Sequence, residues 1–326
     1  MPSSISSSSL VSASASLRSI AVAAIAAVAL YAALIEYWAP PVRAGQDQQS
    51  DNLIAIEHFL YDAPPSAVIV GSSMAGRIPL AALGPDVGSL ALAGQSPLVG
   101  LDIIARSGRT PGRIYVEINN IAGPADETLA DSVFAQPGFT LKRYVKALRR
   151  AYQPVNLAIS LLRRAARGRD EVDYPRIEDA SLHETLITLV QTELNDAPDA
   201  EVLARNLAEM TRLTDSLAGR GAEIVFFEMP IDPQLEATPA VTAVRQAVHV
   251  AFPRAHNCWN SETVPTGLSS TDGIHLDSNA AANFGTSLTR AVCSKPQAHH
   301  NCVDARAERP LSARWGPPHA LWRRAA

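Results

Sequence analysis

Short apolar runs that end in small or polar residues, with helical segments between them, constrain this chain more than any other feature. The runs are residues 67–71 (AVIVG), 87–92 (VGSLAL), 113–118 (RIYVEI), 223–229 (EIVFFEM) and a shorter one near 256–259 (HNCW). Each is too short for a typical helix, and the first, third and fourth are rich in Val, Ile or aromatic residues, so the runs read as strands. Strands alternating with helices imply an α/β fold: a parallel sheet covered on both faces. Ligands of such sheets bind beyond the carboxyl ends of the strands, and the residues there deserve the closest reading.

Gly71-Ser72-Ser73 follows the first run, and Gly94 follows the second. Asn119-Asn120 follows the third, and Asp272-Gly273-Ile274-His275 stands before the last predicted helix, about 278–292. A nucleophilic serine needs a tight turn at a strand end, with its own N–H free to help hold an oxyanion. Ser73 meets that need, although Gly-Ser-Ser is also an ordinary helix start. Asp272 is three residues before His275 across a glycine. That spacing lets a carboxylate take the Nδ1 proton and leaves Nε2 to accept the serine proton. The bland alternative is a loop acid beside a helix-start histidine. The Gly94 N–H and the Asn119 amide, with Asn120 as the alternative, complete a candidate oxyanion hole; a turn glycine and strand-end turn asparagines are the plainer readings. Glu117 reads as a salt-bridged structural acid or as a buttress to the site.

In this order, Ser73, Gly94, Asn119 and then Asp272-x-x-His275 resemble the SGNH (GDSL-like) hydrolase superfamily over roughly residues 65–293. The resemblance implies a flavodoxin-like, three-layer α/β/α sandwich. It also implies a Ser73–His275–Asp272 triad with an oxyanion hole made by Ser73, Gly94 and Asn119. Two departures, Ser72 where the family has aspartate and Glu-Ile-Asn-Asn for Gly-x-Asn-Asp, are similar to its membrane-anchored branch, which includes alginate O-acetylation and teichoic acid D-alanylation proteins.

Near the N-terminus, residues 20–35 contain no charge and are closed by Glu36, Tyr37 and Trp38. A helix needs roughly 17–25 apolar residues to cross a bilayer, and Tyr37 and Trp38 suit its interface. The run is longer than a typical signal-peptide core and no small-x-small cleavage site follows, so an uncleaved anchor is expected. The expected organisation is a polar tail (1–18), an anchor (19–38) and a linker (39–64) carrying a short helix at 52–61. A catalytic domain (65–293) with a helical insert at about 140–220 follows, then a poorly ordered tail (294–326). A single-pass inner-membrane protein with the domain on the extracytoplasmic side is the natural orientation. Of three cysteines, Cys258 and Cys293 are placed to pair and Cys302 lies in the tail.

A net charge of −4 excludes nucleic acid as an obvious partner. Nine basic and no acidic residues between Leu141 and Arg169 read either as a solvated helical face or as a surface for anionic lipid or acidic glycan. No metal or cofactor is implied, because a serine triad needs none; the His299-His300-Asn301-Cys302 cluster in the tail is a weak metal-like signal. The expected function is serine-dependent ester hydrolysis or O-acyl (acetyl) transfer on an envelope polysaccharide or glycolipid. A transferase would need a multi-span partner to supply the acyl group. The alternative is a non-catalytic module of the same fold that binds envelope glycan or scaffolds an assembly complex.

Overall fold

The computed structural model describes residues 8–38, 40, 42–168, 172–260 and 268–290. The chain divides into two units, Met1–Ser294 and Lys295–Ala326, and the described residues all belong to the first. Residues 1–7, Cys293, Cys302, the His299–Cys302 cluster and the 294–326 tail fall outside the described residues.

The elements run α1 (Ser8–Trp38), α2 (Gln48–Tyr61), β1 (Ala67–Gly71), α3 (Ser73–Gly76), α4 (Leu80–Leu83), β2 (Val87–Ala91), α5 (Pro97–Ser107), β3 (Arg113–Glu117) and α6 (Glu127–Phe134). They continue with α7 (Gly138–Tyr144), α8 (Pro154–Arg167), α9 (Ala180–Leu194), α10 (Ala200–Gly219), β4 (Glu223–Phe227), α11 (Pro239–Ala251), β5 (Cys258–Trp259) and α12 (Ser278–Arg290). Local chemistry sets many of the boundaries. Asp47, Ser96, Asp179 and Asp199 accept backbone N–H bonds as N-caps of α2, α5, α9 and α10. Prolines open α5, α8 and α11, where a missing N–H costs nothing.

All five strands are parallel, in the order β2-β1-β3-β4-β5. The chain reverses its winding between β1 and β3, which are neighbours, and such a switch point leaves a crevice at the carboxyl edge. Alternate residues face opposite sides, as strand periodicity requires. Val68, Val70, Ile114, Val116 and Phe226 join one core with residues of α2, α5, α10 and α11. Ala67, Ile69, Tyr115, Val225 and Phe227 join a second with residues of α3, α4 and α12.

Within α1, Arg18–Trp38 is a 21-residue stretch long and apolar enough to cross a membrane. Its last turns rest on the globular part. Ile35 is buried beside Val42, Ile54, Ala151 and Tyr152, the Tyr31 hydroxyl donates to the Tyr152 carbonyl, and Glu36 pairs with Lys146 at 3.3 Å.

Two expectations need correction. Residues 39–64 are not a linker: α2 is integral to the domain because Ile54, Ile56, Phe59 and Leu60 are all buried in it. Nor is the 140–220 region helical throughout. Between α7 and α8 the chain forms two 3₁₀ turns, Lys146–Leu148 and Arg150–Tyr152, and residues 172–179 form neither helix nor strand. The basic segment turns there because its charges point inward. Arg149, 7% exposed, meets Asp62 at 2.9 Å, Lys142 meets Glu57 at 2.7 Å, and Arg150 donates to the Ser50 hydroxyl at 2.9 Å. The solvated-face reading therefore fails for Lys142, Arg149 and Arg150.

Candidate active site

β1 ends at Gly71, and the chain turns at once into the single turn of α3. Ser72 caps that turn, its Oγ accepting from the Met74 N–H at 3.2 Å, so Ser73 becomes the first residue of α3. Across the crevice, residues 270–276 close into a small loop through the Ser270–Leu276 bridge and the Thr271 N–H to His275 carbonyl bond of 2.8 Å. Gly273 makes this loop possible. Its φ of +94° suits glycine alone, and a Cβ there would lie 2.7 Å from Leu235. Asp277 then caps α12, accepting from the Ala280 N–H at 2.9 Å.

The loop and the α3 turn bring together residues 202 positions apart in the chain: Ser73 Oγ lies 2.8 Å from His275 Nε2. His275 Nδ1 lies 2.7 Å from Asp272 Oδ2, while the other carboxylate oxygen accepts from the His275 and Ile274 N–H groups at 2.8 and 3.2 Å. An aspartate accepting at Nδ1 fixes the proton there, which leaves Nε2 as the acceptor for the serine proton. Burial pushes the Asp272 carboxyl up, but the hydrogen bonds and charge of His275 outweigh it and hold the group below the ordinary carboxylate range. Asp272 thus remains an anion and can stabilise an imidazolium beside it.

Arg77, one residue past α3, ties the two halves together. Its guanidinium donates to Thr271 Oγ1 at 2.6 Å and to the Leu276 carbonyl at 3.3 Å, and it stacks 4.2 Å over the Tyr174 ring. The nucleophile turn and the acid–base loop are therefore held in register by a cation that neither the strand pattern nor the motifs reveal.

Glu117 is a buttress rather than a salt-bridged acid. It is fully buried at the end of β3, and no cation pairs with it among the described residues. Its carboxylate accepts from the Ser72 N–H at 2.7 Å, the Ser72 hydroxyl at 2.9 Å and the Ala75 N–H at 3.3 Å. Burial pushes its pKa up, opposed by those hydrogen bonds. Gly71 is required by this packing, since a Cβ there would lie 2.4 Å from Glu117 Oε2. An acid ending an apolar run was the one signal of this role.

The oxyanion candidates are held less directly. Asn52 of α2 brackets the Ala93 peptide, accepting from its N–H at 2.8 Å and donating to its carbonyl at 2.9 Å; Gln48 donates to the same carbonyl at 2.9 Å. Gly94 is thereby fixed, and its N–H and that of Ser73 have no protein acceptor among the described residues. Asn119 makes the same kind of bracket with Met229, at 2.7 and 3.0 Å, which commits its oxygen and one amide hydrogen to the segment just past β4. Asn120 donates to the Gln95 carbonyl at 3.0 Å, beside Gly94. Either amide has only its second hydrogen left to offer. No family model, characterised protein or solved structure matches this chain significantly.

Removing the Asn52 bracket tests how far Gly94 depends on it. Asn52→Ala leaves the Ala93 N–H without its acceptor. Misplacement of a catalytic donor by about 1 Å can cost on the order of 10²-fold. Should this site hydrolyse esters, kcat on a short p-nitrophenyl ester is expected to fall between about tenfold and 10²-fold. An unchanged kcat in a folded variant would show that Gly94 needs no support from α2.

Proposed function

We propose that this chain is a membrane-anchored serine hydrolase or O-acyltransferase of the SGNH (GDSL-like) type, acting on ester-linked acyl groups of an envelope polysaccharide or glycolipid. The observation that carries the proposal is the continuous Ser73–His275–Asp272 relay, with both contacts under 3 Å. The flavodoxin-like strand order and the apolar clusters on both faces of the sheet support the three-layer sandwich of that superfamily.

The chemistry follows from the geometry. His275 Nε2 takes the Ser73 proton as Oγ attacks the ester carbonyl carbon. The carbonyl oxygen becomes an anion facing the N–H groups of Ser73 and Gly94. As the C–O bond to the leaving alcohol breaks, the imidazolium gives that alcohol its proton, and the acyl group remains on Ser73. Water or a sugar hydroxyl then attacks the acyl-enzyme by the same steps in reverse. Asp272 holds the imidazole orientation throughout.

Two observations bear on the setting. Cys258 is disulfide-bonded, which fits an oxidising, extracytoplasmic compartment. α2 carries both Asn52, which brackets the peptide before Gly94, and Ile54, which packs with Ile35 near the end of α1. The site thus opens close to the end of the anchor, which favours a membrane-proximal substrate over a freely diffusing one. If the acceptor is a sugar, a multi-span partner delivers the acyl group.

Activity-based labelling tests the reading. A fluorophosphonate probe is expected to label the purified full chain, and Ser73→Ala to abolish the label. A folded wild-type protein that is never labelled would point to the non-catalytic module instead.

A further inference from the structure

α8 is built inside out. Its buried side presents Asn156 and Ser160, while Val155 and Leu162 are 55% and 69% exposed on the opposite side. Asn156 has a structural task, accepting from the Gln46 N–H at 3.1 Å and donating to the Arg150 carbonyl at 2.9 Å. The outward apolar side has none among the described residues. It runs round the helix from Leu157, which packs against the Ile35 cluster, through Leu161 and Ala158 to Leu162 and Val155 at the helical period. Upstream, Leu141, Tyr144 and Leu148 are 48%, 76% and 47% exposed. Exposed apolar side chains in this number on one stretch of chain point to an interaction surface.

The position of α1 identifies the occupant. The Tyr31 hydroxyl donates to the Tyr152 carbonyl, and Tyr31 is seven residues before Trp38, the last residue of the apolar helix. At 1.5 Å per residue, the part of the domain touching Tyr31 stands about 10 Å inward from the end of that helix. If α1 crosses a bilayer, the 3₁₀ turns beside it cannot stand clear of that bilayer. The charge agrees, since residues 141–168 contain no acidic side chain and Arg143 and Arg167 are exposed at the two ends of the surface.

We infer that residues 141–148 and the outward face of α8 form a ridge that lies in the headgroup region of the same bilayer, against anionic phospholipid. The inference rests on reading α1 as a membrane span. Amphipathic surfaces of this kind sink about 5–10 Å into the headgroup–acyl boundary, a depth comparable to the one that Tyr31 imposes. The ridge and α1 together hold the domain at two points, so its orientation over the membrane is fixed and not merely tethered. The mouth of the site then keeps a constant height, which suits an acyl group carried on a lipid or on a membrane-bound donor.

Photocrosslinking of the full chain in vesicles of phosphatidylethanolamine with a minor share of phosphatidylglycerol tests this. Single p-benzoylphenylalanine replacements go at Leu162 and Tyr144, at Ile25 within α1, and at Val250, which is 74% exposed on α11 near β5, the strand at the far edge of the sheet from β2. Lipid adducts at Leu162, Tyr144 and Ile25, and none at Val250, are expected. Lipid adducts at Ile25 but not at Leu162 would overturn the ridge and leave the anchor standing. No adduct at Ile25 would remove the anchor and the ridge with it. A protein adduct at Leu162, or equal lipid labelling at Val250, would also overturn the inference.

Discussion

Ser73→Ala and His275→Ala are each expected to lower ester turnover by about 10⁶-fold, and the double variant to lose no more than either alone. The expectation rests on how the groups work. Ser73 Oγ cannot attack while it holds its proton, and His275 Nε2, 2.8 Å away, is the base positioned to take it. Removing either partner disables the same step, so the two losses do not add. Asp272→Ala is expected to cost less, about 10⁴-fold, because a base remains but its tautomer is no longer fixed. In the Ser73 and His275 variants, turnover about 10³–10⁴-fold above that in water should survive, supplied by the oxyanion donors and by binding. Initial rates on p-nitrophenyl acetate, with active-site titration of the wild type, measure these ratios. Independent losses in the double variant, or full activity in Ser73→Ala, would remove Ser73 and His275 from a common step.

The legible parts of this molecule were those whose cause lies within a few residues. The five runs read as strands because length and composition act locally, and their ends mark the crevice at the switch point. Asp272 and His275 were legible for the same reason, since a three-residue loop with a glycine dictates its own shape. What stayed hidden depends on contacts between distant segments. Asn52 brackets Ala93 from 41 residues away, and Glu117 holds Ser72 from 45. Lys142 and Arg149 look solvated in the sequence because their partners, Glu57 on α2 and Asp62 just after it, lie in a segment whose composition reads as a linker. The misreading of α2 therefore produced the misreading of the basic segment. α5 went unread although Ser96-Pro97 is a sound helix start. The oxyanion amides show the limit of motif reading. Asn119 lies just past β3 as expected, yet its bonds to Met229 show a bracketing role that residue type alone does not disclose.

Glu117→Ala is expected to destabilise the domain more than any other single change in the site's support. The substitution leaves the buried N–H groups of Ser72 and Ala75 and the Ser72 hydroxyl without an acceptor, and it opens a cavity beneath the nucleophile turn. Each unsatisfied buried group costs about 1–3 kcal/mol, so a loss of about 3–5 kcal/mol is expected, or roughly 10 °C in Tm for a domain of this size. Glu117→Gln keeps the volume and one acceptor oxygen and should lose less. Its pH dependence separates packing from charge. Burial raises the pKa of Glu117 in the folded state. A group raised in this way adds stability at low pH, and that contribution disappears as pH rises through the raised value. The Tm of the wild type relative to Glu117→Gln should therefore increase as pH falls toward the ordinary glutamate value of about 4.3. A difference that is flat with pH would mean that Glu117 titrates as it does in the unfolded chain. An alanine variant within about 2 °C of wild type would show that the Ser72 turn stands without it. Because the same carboxylate fixes Ser72, and Ser72 caps the turn that presents Ser73, the alanine variant should also lose fluorophosphonate labelling at temperatures where it remains folded. A variant that is destabilised yet labels at the wild-type rate would separate the stability of the turn from the placement of its hydroxyl.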